Sequence, residues 1–448
     1  MTHHVLAGCG SFMAGLSSIM AEMNIEVRAY DKTFQPPMRN QLEHAGIQML
    51  QGYDYNTSIP DKDTLIVGNA IRRGNPMLER HLQEGRPVMS GPQWLHDAVL
   101  QHRKTIAVSG THGKTTTTAM MAWVLDYCEQ NPGFLLGGIP LNFQSSARLG
   151  KDTWFVIEAD EYDTVYYDKR PKFFYYPAHC LIVNNLEFDH ADIYRDLADI
   201  EKQFRHYLQT LKPGAWVIYP KEAKNIAQLV EAAGWVRGCP VSCLENGDWR
   251  IEAQGIDWSK FNIVDDQEKS YMVDWELFGQ HNAENALMVF TAAVKMGMDP
   301  EKVVRGLSLF KGVARRMQKI GESHDNKVVF DDFAHHPTAL QKVIEATRAR
   351  FSMQRLVVFL QLSNFTQREG VMWERLQKAS EGADLILLLQ NDSQFPYAKF
   401  VNGHKRPVEL IPSIFTKEDI RKHIKPGDHV LTCSSRDCHS IHQAILQP

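Results

Sequence analysis

The run Ser109-Gly110-Thr111-His112-Gly113-Lys114-Thr115-Thr116 holds the residue types that phosphate chemistry needs, in the order it needs them. Thr105 to Val108 precede it as an apolar stretch, and helix-competent residues, Thr118 to Tyr127, follow. Glycines let backbone N–H groups approach phosphate oxygens, and a helix N-terminus favours negative charge. Lys114 can reach the terminal phosphates of ATP or GTP, and the Thr115 hydroxyl can ligate Mg²⁺. Gly110 through Thr116 are therefore the candidate triphosphate loop. The run departs from the full G-x-x-x-x-G-K-[ST] pattern: Val108 stands at the first glycine, and Gly110 supplies the early glycine instead.

Further runs carry groups that could act on such a phosphate. After Trp154-Phe155-Val156-Ile157 comes Glu158-Ala159-Asp160-Glu161-Tyr162-Asp163. A carboxylate at a strand end beside a triphosphate loop is placed to ligate Mg²⁺. Glu158, nearest the strand end, is the candidate, although four acids in six residues also make an ordinary solvated loop. Cys180 to Val183 lead into Asn184-Asn185-Leu186-Glu187-Phe188-Asp189-His190. There Asp189-His190 could hold a second metal, orient a substrate or cap a helix. In Gly279-Gln280-His281-Asn282-Ala283-Glu284-Asn285, Asn282 and Asn285 share a helix face. Their amides suit an adenine edge, and Asn282 could instead be an N-cap. Arg315-Arg316 could clamp phosphate at a domain junction. In Asp331-Asp332-Phe333-Ala334-His335-His336-Pro337 an Asp could accept from a ribose hydroxyl. The two His could approach phosphate or cap the helix that Pro337 starts.

Strands must deliver these residues. Residues 1–101 open with a strand at Val5-Leu6-Ala7, the turn Gly8-Cys9-Gly10-Ser11-Phe12-Met13, an apolar helix to Met23 and a strand from Ile25 to Tyr30 ending at Asp31. That is a dinucleotide-type unit, although Met13 occupies the third glycine position of G-x-G-x-x-G. A strand from Thr64 to Gly68 leads into Asn69-Ala70. Gly8, Cys9, Gly10, Ser11, Phe12, Asp31, Asn69 and Ala70 are the candidate contacts of a nucleotide or nucleotide sugar. Residues 102–312 carry the triphosphate loop, strands at Trp154 to Ile157, Cys180 to Val183 and Trp216 to Tyr219, an alternating antiparallel excursion from Asp248 to Leu277, and a helix from Asn282 to Met296. Residues 313–448 show strands at Lys327 to Asp331, Leu356 to Leu360, Leu385 to Leu389 and His429 to Thr432, with helices at Pro337 to Arg350 and Val371 to Ser380. The alternation predicts an α/β fold of three domains, each a mostly parallel sheet with flanking helices: Rossmann-like, P-loop ATPase and Rossmann-like in turn.

Composition narrows the class. A chain of 448 residues exceeds one typical core, and 44% hydrophobic with 23% charged residues suits a soluble globular protein. A net charge of −4 without a run of five or more like charges excludes a nucleic-acid footprint, since Arg72-Arg73 and Arg315-Arg316 are too small for one. No apolar stretch reaches membrane-spanning length. Leu6-Ala7-Gly8-Cys9 looks like a lipoprotein cleavage site, but too little sequence precedes it, so a first strand and a cytoplasmic protein are expected. The seven cysteines form no C-x-x-C pair and read as free thiols.

Together these runs resemble the Mur ligase family, the ATP-dependent amide-forming enzymes of bacterial peptidoglycan synthesis. Gly110 to Thr116, Glu158 to Glu161, Asn184 with Glu187, Asp189 and His190, His281-Asn282 with Asn285, Arg315-Arg316, and Asp331 to Pro337 carry the resemblance in the family's order. It implies that ATP, with Mg²⁺, phosphorylates the lactyl carboxylate of UDP-N-acetylmuramate and that an amine attacks the acyl phosphate. It implies Lys114, Glu158, His190, Arg316 and His335 as catalytic residues, and Thr115, Glu158 and His190 as metal ligands. ATP contacts implied are Gly110, Thr111, His112, Gly113, Lys114, Thr115, Thr116, Asn282, Asn285, Arg315, Arg316 and Asp332. Residues 1–101 would hold the UDP sugar and 313–448 would close on ATP and peptide, in a monomer or weak homo-oligomer.

Two branches of the family compete. One adds L-alanine to the nucleotide sugar; the other attaches the recycled tripeptide L-Ala-γ-D-Glu-meso-diaminopimelate. Gly8 to Met13, Arg73-Gly74-Asn75-Pro76, Ser90 to Leu95, Glu161-Tyr162-Asp163 and Tyr167-Asp168-Lys169-Arg170 resemble the second. The alanine-adding branch usually has Ser at position 162 and lacks the Asp-Lys-Arg run. One departure from the recycling branch is Ser434-Ser435-Arg436-Asp437-Cys438-His439, where a Gly-rich turn is usual.

Overall fold

The computed structural model describes residues 2–54, 60, 63–188, 193–243, 247–362, 373–391, 395 and 397–447. Its strands gather into three large, mostly parallel sheets. The first has the spatial order Gln48–Gln51, Glu26–Asp31, Thr2–Leu6, Thr64–Val67, Val88–Ser90, all parallel. The order reverses on either side of Thr2–Leu6, so the turn after that strand lies at a topological switch point, where open α/β sheets bind ligands. Gln48–Gln51 and Val88–Ser90, short edge strands without apolar runs, gave no signal in the sequence.

Met13 explains how the unit manages without its third glycine. It is a buried residue of the helix Ser11–Glu22 and packs on two glycines from other segments. A Cβ on Gly68 would lie 3.1 Å from Met13 Cγ, and one on Gly91 would lie 2.9 Å from Met13 Sδ. Space that the fingerprint normally provides at position 13 is provided at 68 and 91 instead.

The central sheet runs Arg237–Val241, Trp216–Pro220, Cys180–Val183, Lys104–Ser109, Trp154–Glu158, Gly133–Leu135, Ala147–Arg148, and only the last pair is antiparallel. Its inner strands are buried along their length except at Lys104 and Glu158, and mostly apolar, as parallel strands covered on both faces must be. The helix Lys114–Tyr127 packs against the helices Gln280–Lys295 and Pro300–Ser308. It starts at Lys114 rather than Thr118, because Gly113, at φ 79°, turns the chain directly into it. The alternating stretch forms a three-stranded antiparallel sheet, Arg250–Ala253, Lys260–Val264, Ser270–Asp274.

The third sheet has the order Gln318–Glu322, Val328–Asp332, His429–Ser434, Leu356–Gln361, Leu385–Gln390, Val408–Pro412, parallel except for its first pair. The units are tied by polar contacts across their junctions. Gln41 Oε1 accepts from Ser146 N at 3.0 Å and Ser146 Oγ at 2.8 Å. On the other side, Lys342 reaches Glu284 at 2.9 Å and Arg350 reaches Asp257 at 2.7 Å. Among the described residues no helix is long and apolar enough to cross a membrane.

Candidate nucleotide site

Three adjacent strands of the central sheet end together, with Val108 paired to Glu158 and Ser109 to Val183. They deliver the triphosphate loop, the acidic run and the Asn184–Glu187 segment to one place. Gly110 sits at φ 133° and Gly113 at φ 79°. A Cβ on Gly113 would come 2.7 Å from Asn184 Nδ2 and 3.0 Å from Asn285 Oδ1, so backbone conformation and space both demand glycine there. Two asparagines brace the loop. Asn185 Oδ1 accepts from His112 N at 2.8 Å, and Asn184 Nδ2 donates to Thr117 Oγ1 at 2.8 Å. Asn285 Oδ1 lies 3.4 Å from Asn184 Nδ2, which puts this amide at the phosphate end of the pocket. Asn282 is not an N-cap: the helix begins after Gly279, and Asn282 Nδ2 donates to Phe278 O at 2.8 Å.

Lys114 is committed to an acid that spacing alone did not single out. Its Nζ lies 3.0 and 2.9 Å from the two carboxylate oxygens of Glu161 and 2.7 Å from Gly110 O. Burial opposes the lysine's charge, but Glu161, Asp160 and Glu158 outweigh it and hold the pKa above the usual lysine value. Thr115 Oγ1 donates to Glu158 Oε1 at 3.0 Å, and Gly137 N–H donates to the other oxygen at 2.7 Å. An all-oxygen pair at the head of a triphosphate loop fits a hard cation such as Mg²⁺.

The third unit closes the site through Arg316. Its neighbours Arg315 and Met317 sit at φ 61° and 49°, a region that non-glycine residues occupy only when held there. Arg316 Nη2 comes 3.4 Å from Thr115 Oγ1, and its guanidinium lies over the Phe333 ring at 4.8 Å. Arg315 turns the other way. It pairs with Asp331 at 3.1 Å and donates to Ser434 O at 2.7 Å and Arg436 O at 2.5 Å, so it ties down the departing C-terminal turn. Asp332 accepts from Met317 N at 2.7 Å and Ala334 N at 2.6 Å. Burial pushes its carboxyl up to about 6, against the pull of Arg316 and of both N–H groups. His335 donates Nδ1–H to Phe333 O at 2.9 Å, while His336 is the cap of the helix Pro337–Arg350, accepting from Thr338 N at 3.3 Å.

A cavity of about 460 Å³ opens between the loop, the helix Gln280–Lys295 and the third unit. His112, Gly113, Thr116, Asn282, Asn285, Arg316 and Asp332 line it; Arg315 and His335 do not. Gly110, Thr111, Lys114 and Thr115 form the loop behind it. His281, Thr338 and Lys342 also face the cavity, and burial beside Lys342 drops the His281 pKa to about 3, so that imidazole is neutral. Asp189 and His190 lie outside the described residues.

At the switch point of the first sheet, Asp31 accepts from Cys9 N at 2.9 Å and Lys32 N at 2.7 Å. A Cβ on Gly8 would lie 2.8 Å from Ala29 Cβ. Gly10 precedes the helix holding Ser11 and Phe12, and Lys172 of the central unit reaches over the Phe12 ring at 5.9 Å. Asn69-Ala70 form a turn after Thr64–Val67. Several residues of the recycling-branch signatures start helices: Asn75 caps Pro76–Gln83 and Ser90 caps Gly91–Ala98. In the hairpin Asp163–Val165, Asp168–Pro171, Val165 packs into the first unit's core with Leu6, Tyr30 and Val67.

Family models match the chain in three consecutive parts: Mur ligase family, catalytic domain over residues 2–103, Mur ligase middle domain over 108–293, and Mur ligase, glutamate ligase domain over 315–436. The chain is 40% identical to the UDP-N-acetylmuramate–L-alanyl-γ-D-glutamyl-meso-2,6-diaminoheptandioate ligase of Escherichia coli K12, covering 100% of this chain and 98% of that one. It is 29% identical to a UDP-N-acetylmuramate–L-alanine ligase of Syntrophomonas wolfei over 86% of this chain and 82% of that one. A solved murein peptide ligase of Psychrobacter arcticus superposes with a TM-score of 0.76 at 33% identity, covering 99% of this chain and 97% of that one.

Proposed function

The chain belongs to the Mur ligase family, and from that premise we propose that it is the family's recycling ligase. In this reading it joins UDP-N-acetylmuramate to L-Ala-γ-D-Glu-meso-diaminopimelate, converting ATP to ADP and phosphate. The observation that carries the choice of amine is identity: 40% over the whole chain with the tripeptide ligase against 29% over 86% of it with the alanine ligase.

The chemistry follows from the residues at the three strand ends. ATP lies in the cavity between Asn282, Asn285, Asp332 and the loop, with its phosphates along Gly110–Thr116 and its ribose at Asp332. Lys114 must leave Glu161 to meet the phosphates. Thr115 and Glu158 would hold Mg²⁺, which, when bound, neutralises phosphate charge and orients the terminal phosphate. Arg316 adds a guanidinium from the opposite wall, where charge builds as the phosphoryl group moves. The UDP sugar binds at Gly8–Phe12, Asp31 and Asn69-Ala70, with its lactyl carboxylate directed toward the loop past Lys172. The carboxylate oxygen attacks the terminal phosphorus and ADP leaves. The peptide's amine then attacks the acyl carbon and expels phosphate, leaving an amide. His190 is the proposed second metal ligand and His335 a proposed catalytic group.

This division assigns residues 1–101 to the nucleotide sugar, 102–312 to ATP, and 313–448 to closure over ATP and peptide. We place the enzyme in the cytoplasm, where ATP and nucleotide sugars are, as a monomer or weak homo-oligomer. The test is phosphate release from Mg-ATP and UDP-N-acetylmuramate with either amine, read with product mass. Turnover with the tripeptide and none with L-alanine supports the proposal; turnover with L-alanine alone overturns it in favour of the biosynthetic branch.

A further inference from the structure

His112 of the triphosphate loop, Glu187 beyond Cys180–Val183 and His336 at the start of a third-unit helix converge; His112 and Glu187 also line the ATP cavity, but none of the three is assigned a bond-making step above. One ligand atom from each lies within 4.8 Å of the other two. His112 Nε2 stands 3.5 Å from Glu187 Oε2, and the two imidazole rings are 4.3 Å apart. We propose that these three residues bind a borderline divalent metal ion of the Zn²⁺ or Co²⁺ type, separate from the Thr115–Glu158 pair, that pins the third unit to the triphosphate loop.

The donor set selects the metal class. Two neutral imidazoles and one carboxylate suit Zn²⁺, Co²⁺ or Ni²⁺, whereas Mg²⁺ prefers oxygen alone. Bonds of about 2.0–2.1 Å in a tetrahedron put ligand atoms about 3.3 Å apart, close to the His112–Glu187 spacing already present. His112 Nε2 is buried and makes no hydrogen bond to the described residues. Nδ1 of His336 is engaged by Thr338 N, so Nε2, which is buried, is its ligand atom in this proposal. The Thr338 hydroxyl donates to Glu187 Oε2 at 2.8 Å and orients the carboxylate, the outer contact that metal ligands require. Arg375, 3.9 Å from the same oxygen, is exposed enough to swing away.

Two ligands come from the central unit and one from the third, so a bound ion would bridge the junction that Arg316 crosses. It would hold that junction shut and slow product release. The proposal does not depend on which amine the enzyme uses.

The experiment titrates Co²⁺ into the nucleotide-free full-length protein and reads its visible absorption, in the presence of excess Mg²⁺. One equivalent should bind with the intense band of a low-coordinate nitrogen-containing site. His336→Asn keeps a helix cap but removes the imidazole, and Glu187→Gln keeps an acceptor for Thr338 but removes the charge. Each should weaken binding about 10-fold or more, while Thr115→Val leaves it unchanged. Circular dichroism checks that each variant is folded. Absence of the band, its insensitivity to both His336→Asn and Glu187→Gln, or its loss to Mg²⁺ or to Thr115→Val overturns the proposal.

Discussion

Replacing Glu161 by Gln should weaken the unliganded protein and strengthen its response to ATP. The two side chains of the Lys114–Glu161 pair are only 12% and 5% exposed, and both carboxylate oxygens lie within 3.0 Å of Nζ. Removing one partner of a buried pair costs about 3–5 kcal/mol. Here Gly110 O stays at 2.7 Å and Asp160 and Glu158 remain near the ammonium, so the expectation falls just below that range, at about 2–3 kcal/mol. ATP needs the same ammonium, so whatever Glu161 contributes in the free protein is subtracted from ATP affinity. If half of it is recovered, Mg-ATP binds the variant about 5–10-fold more tightly, at 1.4 kcal/mol per decade. Urea denaturation gives the stability change, and calorimetry with a non-hydrolysable ATP analogue gives the affinity. A variant of unchanged stability, or one that binds the analogue more weakly, would refute the competition between Glu161 and phosphate for Lys114.

Lys114→Ala should abolish turnover while calorimetric binding of UDP-N-acetylmuramate survives; loss of both would break the proposed division between first and central units. Gly91→Ala places a methyl 2.9 Å from both Phe12 Cε1 and Met13 Sδ. It should cost about 1–3 kcal/mol and raise KM for the UDP sugar but not for ATP, with Met13→Ala, which relieves the sulfur contact but not the Phe12 one, recovering only part of the KM change. Arg315→Lys gives up the fork that holds Ser434 O and Arg436 O, so Arg316 loses its aim and kcat should fall by up to about 100-fold, with nucleotide-sugar affinity unchanged as the control. Asp332 has a folded pKa of about 6 against the ordinary aspartate value of 3.8, so the fold favours its protonated form. Its contribution to stability is present below about pH 4 and lost as pH rises through about 6. Wild type should therefore lose stability relative to Asp332→Asn as pH rises across that window, and a relative gain would contradict the buried carboxyl.

The central fold was legible because parallel strands buried on both faces must be continuous apolar runs. Trp154–Glu158, Cys180–Val183 and Leu356–Gln361 announce themselves for that reason. Gln48–Gln51, which carries no fully buried residue, does not. Met13 illustrates a different limit. The fingerprint glycine it replaces exists to give room, and room can be supplied by Gly68 and Gly91, residues far away in sequence that no local pattern connects to it.

The site divides along the same line. Glu158 could be named because it is the polar residue that ends its strand, and Thr115 because it follows Gly113-Lys114 in the triphosphate loop; the register of adjacent strands does the rest. Glu161 could not, because which of several acids meets Lys114 depends on how the chain turns after the strand has ended. Arg315 and Arg316 make the sharper case. As neighbours with the same side chain they are equal candidates on residue type, and only the family resemblance puts Arg316 ahead; extended backbone would point them to opposite faces without saying which face holds the phosphate. A left-handed residue on either side of Arg316 settles it, delivering Arg316 to Thr115 and Arg315 to Asp331 and the Ser434–Arg436 turn. The unusual C-terminal turn is thus coupled to the phosphate wall through one guanidinium. A substitution at Ser434 or Arg436 that shifts those carbonyls should therefore move kcat without touching either substrate.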